Sequence, residues 1–170
     1  IGRNEKQLDN IKNIFGVETM ISTPENIAKA VAVSDLVIGG VAITGAKAPK
    51  LVTREMIKRM DPGSVVVDVS IDQGGCFETS RPTTHENPIY IEEGVIHYCV
   101  TNMPALVPYT STIALTTATL PYVLKLANGL YSAIKDKPLA RGVNTFNGKL
   151  TNIGVAEAFG MQYVPLEKLI

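Results

Sequence analysis

Asp72 is the side chain best placed in this sequence to move a proton at a bound ligand. It opens a polar, glycine-rich stretch, Asp72-Gln73-Gly74-Gly75, after residues 64–71 (SVVVDVSI), the strongest strand pattern in the chain. A carboxylate there could accept a hydrogen bond from a ribose hydroxyl, or exchange a proton if partial burial raised its pKa toward neutrality. The plainer alternative is a loop carboxylate that caps backbone N–H groups. Asp68 falls inside the strand pattern and reads as a buried, hydrogen-bonded structural acid. His85 lies in a polar loop and His97 in a strand. Neither has a second ligand at metal-binding spacing, so no metal is assigned. Cys76 has no identifiable base nearby and reads as packing rather than a nucleophile. Lys47 and Lys50 could meet a phosphate or a substrate anion, although lysines more commonly face solvent. Met103 and Pro104 could wall a flat ring, although methionine more often marks core.

Lys47, Asp72, Met103 and Pro104 sit in three loops, 39–47, 72–75 and 101–104, each following a strand pattern. In open parallel sheets ligands bind outside the carboxyl ends of the strands, and small residues let a flat ligand approach the main chain. Glycines after strands are also the ordinary way to turn a chain, so position leaves both readings open.

The elements that must carry these loops alternate between helix and strand over the first hundred residues, which predicts an α/β fold with parallel βαβ units. Leu8, Ile11, Ile14 and Phe15 predict a helix over residues 4–15, stopped by Gly16, and residues 17–21 predict a short strand. Thr23-Pro24-Glu25 supplies a cap, a proline at the first helical position and an acid in the first turn of a second helix. In residues 35–40 an uninterrupted apolar run after Asp35, ending in glycines, predicts a fully buried strand. Thr53 caps a third helix carrying Met56, Ile57 and Met60, and residues 96–100 predict a further strand. A helix is predicted over residues 110–128, with Thr110 or Ser111 as cap and a kink at Pro121; helical pieces and turns follow Gly129. The change in pattern sets a boundary near Pro108: residues 1–107 as an α/β domain and 108–170 as a mainly helical segment.

Composition narrows the partners. Hydrophobic residues make up 45% of the chain and charged residues 19%, with 16 basic and 16 acidic side chains. That balance argues against disorder and gives nucleic acid or an anionic membrane no net electrostatic attraction. No apolar run reaches the roughly 18–20 residues that span a bilayer. Cys76 and Cys99 are the only cysteines, too few for a disulfide scaffold, which reads as a reducing, cytoplasmic setting. Ile1 follows no initiator Met and no signal pattern, so it reads as a cut end within a longer polypeptide.

Three runs occur in order and at familiar spacing: GAKAPKLV at residues 45–52, VDVSIDQGG at 67–75, and Asn102-Met103-Pro104. With TSTIALTTATLPYVLKLAN and the late GVNTFNGKLT, they resemble the alanine dehydrogenase family over essentially the whole chain. The resemblance implies reversible oxidative deamination of L-alanine to pyruvate and ammonia with NAD, in a homo-hexamer. It implies cofactor contacts at Val41 and Ala42, at Val69, Ser70, Ile71 and Asp72, and at Val100, Thr101, Asn102 and Met103, with Ser22 on the adenosine side. Asp72 then corresponds to the family's acid/base aspartate, the only candidate for that role in this chain.

The departures from the family pattern matter as much. No GxGxxG phosphate loop is present, and the acidic ribose anchor, the substrate-binding Arg and Lys and the catalytic His would all lie before Ile1. The expected architecture is therefore a partial Rossmann-type, doubly wound parallel sheet holding strands three to six of the order 3-2-1-4-5-6, with the first two strands missing. Residues 17–21 then cannot pair with residues 35–40, and open hydrogen-bonding edges are left. The chain alone is expected to be inactive, completed by the preceding part of its polypeptide, with residues 108–170 returning to a substrate domain. Arg3 and Lys6 keep a 2′-phosphate, and so NADP, conceivable. Two rival readings are the NAD-binding subunit of proton-translocating transhydrogenase and a non-catalytic NAD-binding or oligomer-forming fragment.

Overall fold

A computed structural model describes residues 1–43 and 47–170 and divides the chain into two compact units. Thr44, Gly45 and Ala46, part of the loop and motif noted above, lie outside the described residues. The first unit comprises Ile1–Ala42 and Lys47–Met103; the second is carried by Pro104–Ile170.

In the first unit the capping signals act as the sequence predicts. Helix α1 (Glu5–Phe15) is capped by the Asn4 side chain, which accepts from Gln7 N–H, and ends at Gly16 with φ 65°, a left-handed position that glycine adopts without a Cβ penalty. Helix α2 (Pro24–Ala32) starts with Thr23 accepting from Asn26 N–H, and buries Ile27 and Val31. Strand β1 (Leu36–Gly39) follows, then the short helix α3 (Arg54–Ile57), capped by Thr53, and strand β2 (Val65–Asp68). Strands β3 (Ile89–Glu92) and β4 (Val95–Tyr98) complete a four-stranded sheet of order β1-β2-β4-β3. β1, β2 and β4 run parallel, and β3 pairs antiparallel with β4.

The sheet corrects several expectations. Residues 17–21 form no strand: Ile21 makes a single parallel bridge to Gly2, held by Gly2 N–H to Met20 O and Ser22 N–H to Gly2 O, and one rung is not a ladder. β1 is not buried throughout. Leu36 and Ile38, two residues apart and so on one face of the sheet, are exposed, and among the described residues β1 pairs only with β2, which leaves its other edge open. The strand expected over residues 64–71 stops at Asp68, where a buried carboxylate bends the chain into a 3-10 turn, Ile71–Gln73. Val100 falls outside β4 and makes an isolated bridge with Thr83. β3, unpredicted, forms a tight hairpin with β4 through Glu93 and Gly94, whose φ values of 53° and 78° match the positive pair that a type I′ turn requires.

The core of this unit packs Ile27 and Val31 of α2 and Ile57 of α3 against Val66 of β2, with Phe77, Cys76 and Val95 filling the centre. Gly39 is fixed by this packing. A Cβ there would lie 2.5 Å from Phe77 Cε2 and closer still to Cys76 Sγ, so only glycine lets β1 end against that ring. Arg54 joins α3 to the hairpin through ion pairs with Glu92 and Glu93 at 2.6 and 2.5 Å, partly exposed pairs that contribute modestly.

His97, on β4, is fully buried as a strand residue. Its Nδ1 lies 2.9 Å from the Val95 carbonyl and its Nε2 2.7 Å from the Thr79 hydroxyl, which suits a neutral ring donating at Nδ1 and accepting at Nε2. Burial lowers its pKa, against the opposing pull of the Val95 carbonyl and the Glu92 charge. With the folded pKa below the unfolded value of about 6.5, the unfolded chain binds the extra proton first as pH falls. The contribution of His97 is therefore complete above about pH 6.5 and declines below it, by at most about 1.4 kcal/mol per pH unit. Urea unfolding between pH 7.5 and 5.5 should show this loss; a flat midpoint over that window would contradict it.

The second unit is helical with one small hairpin. Helix α4 (Pro108–Ala127) begins earlier than expected, with Pro108 at its first position and no side-chain cap, because proline's missing N–H costs nothing there. It runs continuously through Pro121 and buries none of its residues. Helices α5 (Leu130–Ala133), α6 (Lys137–Gly142) and α7 (Ile153–Phe159) follow, with strands β5 (Thr145–Phe146) and β6 (Lys149–Leu150) paired antiparallel between the last two. A small core of Ile134, Phe146 and Leu166 holds this unit together. Among the described residues no helix is long and apolar enough to cross a membrane.

Candidate functional site

Parallel strands deliver their carboxyl ends to one side of a sheet, so the segments after β1, β2 and β4 collect there. Asp68, the last residue of β2, organises the middle segment. Its buried carboxylate accepts from Ser70 N–H at 3.0 Å, Cys76 N–H at 2.8 Å, Phe77 N–H at 3.4 Å and the Ser80 hydroxyl at 2.5 Å. A charge taken out of water needs such a set of donors, and here they tie both ends of the 69–77 loop to one point. Gly75, with φ 75°, passes so close that a Cβ would lie 2.7 Å from Asp68 Oδ2. Lys50 fastens the same loop from outside, donating to the carbonyls of Gly74 at 2.6 Å and Phe77 at 3.0 Å. Its role in the structure is loop support, whereas Lys47 is exposed.

On this frame Asp72 stands exposed in the 3-10 turn. Both of its carboxylate oxygens lie 3.2 Å from Asn102 N, whose N–H they share, so the segment after β2 is joined to the segment after β4. Asn102 adopts φ 51°, a left-handed position that asparagine tolerates better than most side chains. Val41, after β1, donates its N–H to Ser70 Oγ at 2.6 Å, and Ser70 Oγ donates back to Val41 O at 2.8 Å. Val41 also lines a concavity of about 360 Å³ with Ser22, Val31, Gly39 and Gly40. That volume is at the lower end of the roughly 300–1,000 Å³ typical of small-ligand pockets, and its lining includes the whole of β1, an edge strand.

The candidate residues thus fall into groups. Ser22 and Val41 share the concavity; Ser70 is joined to Val41, and Asp72 to Asn102. Ala42 and Val69 are exposed, and Thr101 and Met103 half-buried. Ile71 packs into a core cluster with Tyr90 and Cys99, and Val100 is fully buried, so these two can offer a ligand only main-chain atoms. Cys76 is buried beside Asp68 and its thiol is pushed up to about 12, by burial first and the Asp68 charge second, which leaves it unreactive near neutral pH. Ser80 is an anchor that sequence reasoning missed. Its partner Asp68 is twelve residues away, and no local pattern joins them.

Similarity to known proteins extends along nearly the whole chain. Residues 2–153 match the family described as alanine dehydrogenase/PNT, C-terminal domain. Alanine dehydrogenase 2 of Staphylococcus aureus strain USA300 is 55% identical over 172 aligned positions, covering 98% of this chain and 46% of that protein. The same figures hold for the protein of that name from strain COL. A solved structure titled L-alanine dehydrogenase superposes with a TM-score of 0.80 at 45% identity, over 93% of this chain and 45% of its own. The crystal structure of transhydrogenase from Sinorhizobium meliloti superposes with a TM-score of 0.69 at 22% identity, over 89% of this chain and 41% of its own, a likeness of fold. The chain therefore spans just under half the length of these relatives. With its α/β, Rossmann-type sheet and this match over nearly its whole length, the chain belongs to the alanine dehydrogenase/PNT C-terminal domain family.

Proposed function

We propose that this chain is the cofactor-side and C-terminal portion of an NAD-dependent alanine dehydrogenase, which converts L-alanine + NAD+ + water to pyruvate + ammonium + NADH + H+, reversibly. The observation that carries the reading is Asp72, an exposed carboxylate at the carboxyl end of the sheet's interior strand β2, held toward the segment after β4 by Asn102 N–H. When bound, NAD supplies the hydride acceptor for the alanine α-carbon. Ser22 holds the adenosine side, and Val41, Ala42, Val69, Ser70, Ile71, Asp72, Val100, Thr101, Asn102 and Met103 are the other cofactor contacts. Asp72 takes a proton as the amino group becomes an imine and passes it to solvent, takes another from the water that adds to the imine, and returns that one to the nitrogen as ammonia leaves.

The groups that bind the substrate carboxylate belong to the preceding part of the same polypeptide, and residues 108–170 return to that substrate domain. The assembled enzyme is a cytoplasmic homo-hexamer, a setting that suits two free, buried cysteines. The chain alone is inactive, because the groups that bind the substrate carboxylate lie outside it; in keeping with an incomplete sheet, β1 pairs only with β2 among the described residues. A transhydrogenase NAD-binding subunit is the second reading, favoured by the likeness of fold to the Sinorhizobium protein. Identity of 55% to an alanine dehydrogenase supports the first reading over it.

Alanine-dependent NADH formation, measured on the full-length polypeptide and on the 170-residue chain, tests the proposal. Turnover in the full-length protein alone is the expected result. Turnover in the short chain would refute the split site, and hydride exchange between NADH and an NADP analogue without alanine oxidation would favour the second reading.

A further inference from the structure

We infer that Ser70 is a positioning residue whose hydroxyl clasps the segment after β1 to the turn that bears Asp72, and so sets the spacing of the two walls between which the dinucleotide lies. The inference rests on the proposed reading that these segments bind NAD. The parallel ladder of β1 and β2 ends at the pair Gly39 and Asp68, with one further bond from Val69 N–H to Gly39 O. Beyond that point Ser70 continues the ladder with its side chain: one oxygen accepts Val41 N–H at 2.6 Å and donates to Val41 O at 2.8 Å.

Ser70 is itself buried and held by its own N–H to Asp68 Oδ1 at 3.0 Å. Asp68 in turn is fixed by Cys76, Phe77 and Ser80. A chain of hydrogen bonds therefore runs from the floor of the 69–77 loop to Val41 on the concavity wall, while Asp72 lies two residues beyond Ser70. Because the hydroxyl is spent on Val41 in both directions, Ser70 acts on a ligand through the placement of Val41. Without it the Val41 main chain keeps no partner from β2, and a ligand must order that segment as it binds.

The test compares Ser70→Ala and Ser70→Thr with the unmodified full-length polypeptide, by NADH fluorescence titration, steady-state kinetics with alanine and amide hydrogen exchange over residues 40–42. Ser70→Ala should raise the NADH Kd and the cofactor KM about five- to tenfold, the scale of one or two lost hydrogen bonds, with kcat falling by less than KM rises. It should also speed exchange at Val41, and Ser70→Thr, which keeps the hydroxyl, should restore most of both. An NADH Kd within twofold of the unmodified protein, with exchange accelerated, would show a structural bond only and overturn the inference; unchanged exchange would overturn the clasp itself. Absence of alanine oxidation with normal NADH binding would sink the proposed reaction and leave the clasp standing. Failure of the unmodified protein to bind any dinucleotide would overturn both.

Discussion

Replacing Asp72 with Asn in the full-length polypeptide should lower alanine-dependent turnover by roughly 100- to 10,000-fold, the usual worth of a placed proton-transfer group. The substitution separates the chemistry from the scaffold. An asparagine oxygen still accepts the Asn102 N–H that the carboxylate accepts, so the link between the segments after β2 and β4 is kept. What is lost is the capacity to take and return a proton. NADH affinity should therefore change far less than turnover, and initial rates combined with fluorescence titration distinguish the two. A rate within about fivefold of the unmodified enzyme would fall short of that range and return Asp72 to the plainer role of a loop carboxylate capping the Asn102 amide.

The largest expected loss of stability comes from Asp68→Ala. The side chain is fully buried, and its removal strands two well-placed amides, the longer contact to Phe77 and the Ser80 hydroxyl in a site closed to water. A cost of about 3–5 kcal/mol is expected, in the range seen when a buried charge network loses one member. Chemical denaturation of the full-length variant measures it. Asp68→Asn, which keeps one acceptor oxygen, should recover part of the loss; equal stability of the Ala variant and the unmodified protein would show that water replaces the carboxylate without penalty.

How much of this was legible in the sequence follows the range of the interactions. Asn4, Thr23 and Thr53 cap helices within three residues of their partners, and all three helix starts were readable. The two hairpins were readable in principle but overlooked: Ile-Tyr-Ile before Glu93-Gly94 and Thr-Phe before Asn147-Gly148 are apolar segments meeting pairs suited to type I′ turns. The strand over residues 64–71 was read too long, because β-propensity continues through Val69 and Ile71 while the Asp68 carboxylate bends the backbone. Residues 17–21 have strand character but only Gly2 beside them.

At the candidate site the position of Asp72 after the interior strand was readable from the glycine-rich loop. Its link to Asn102, thirty residues away, was not, nor was the Ser70 clasp on Val41 across twenty-nine. No periodicity records such pairs. Pro108 illustrates a further limit, since hydroxyl residues downstream looked like better caps than a proline that needs none.

The fit of Gly39 against Cys76 and Phe77 bears on how sequences of this kind can diverge. A side chain at position 39 requires smaller residues at both 76 and 77, and either smaller residue arising first opens a void in the core beside Ile57 and Val66. Each single step passes through a less stable protein. The three positions are therefore bound to change as a set or not at all, although thirty-six residues of chain separate the glycine from the nearer of its two partners.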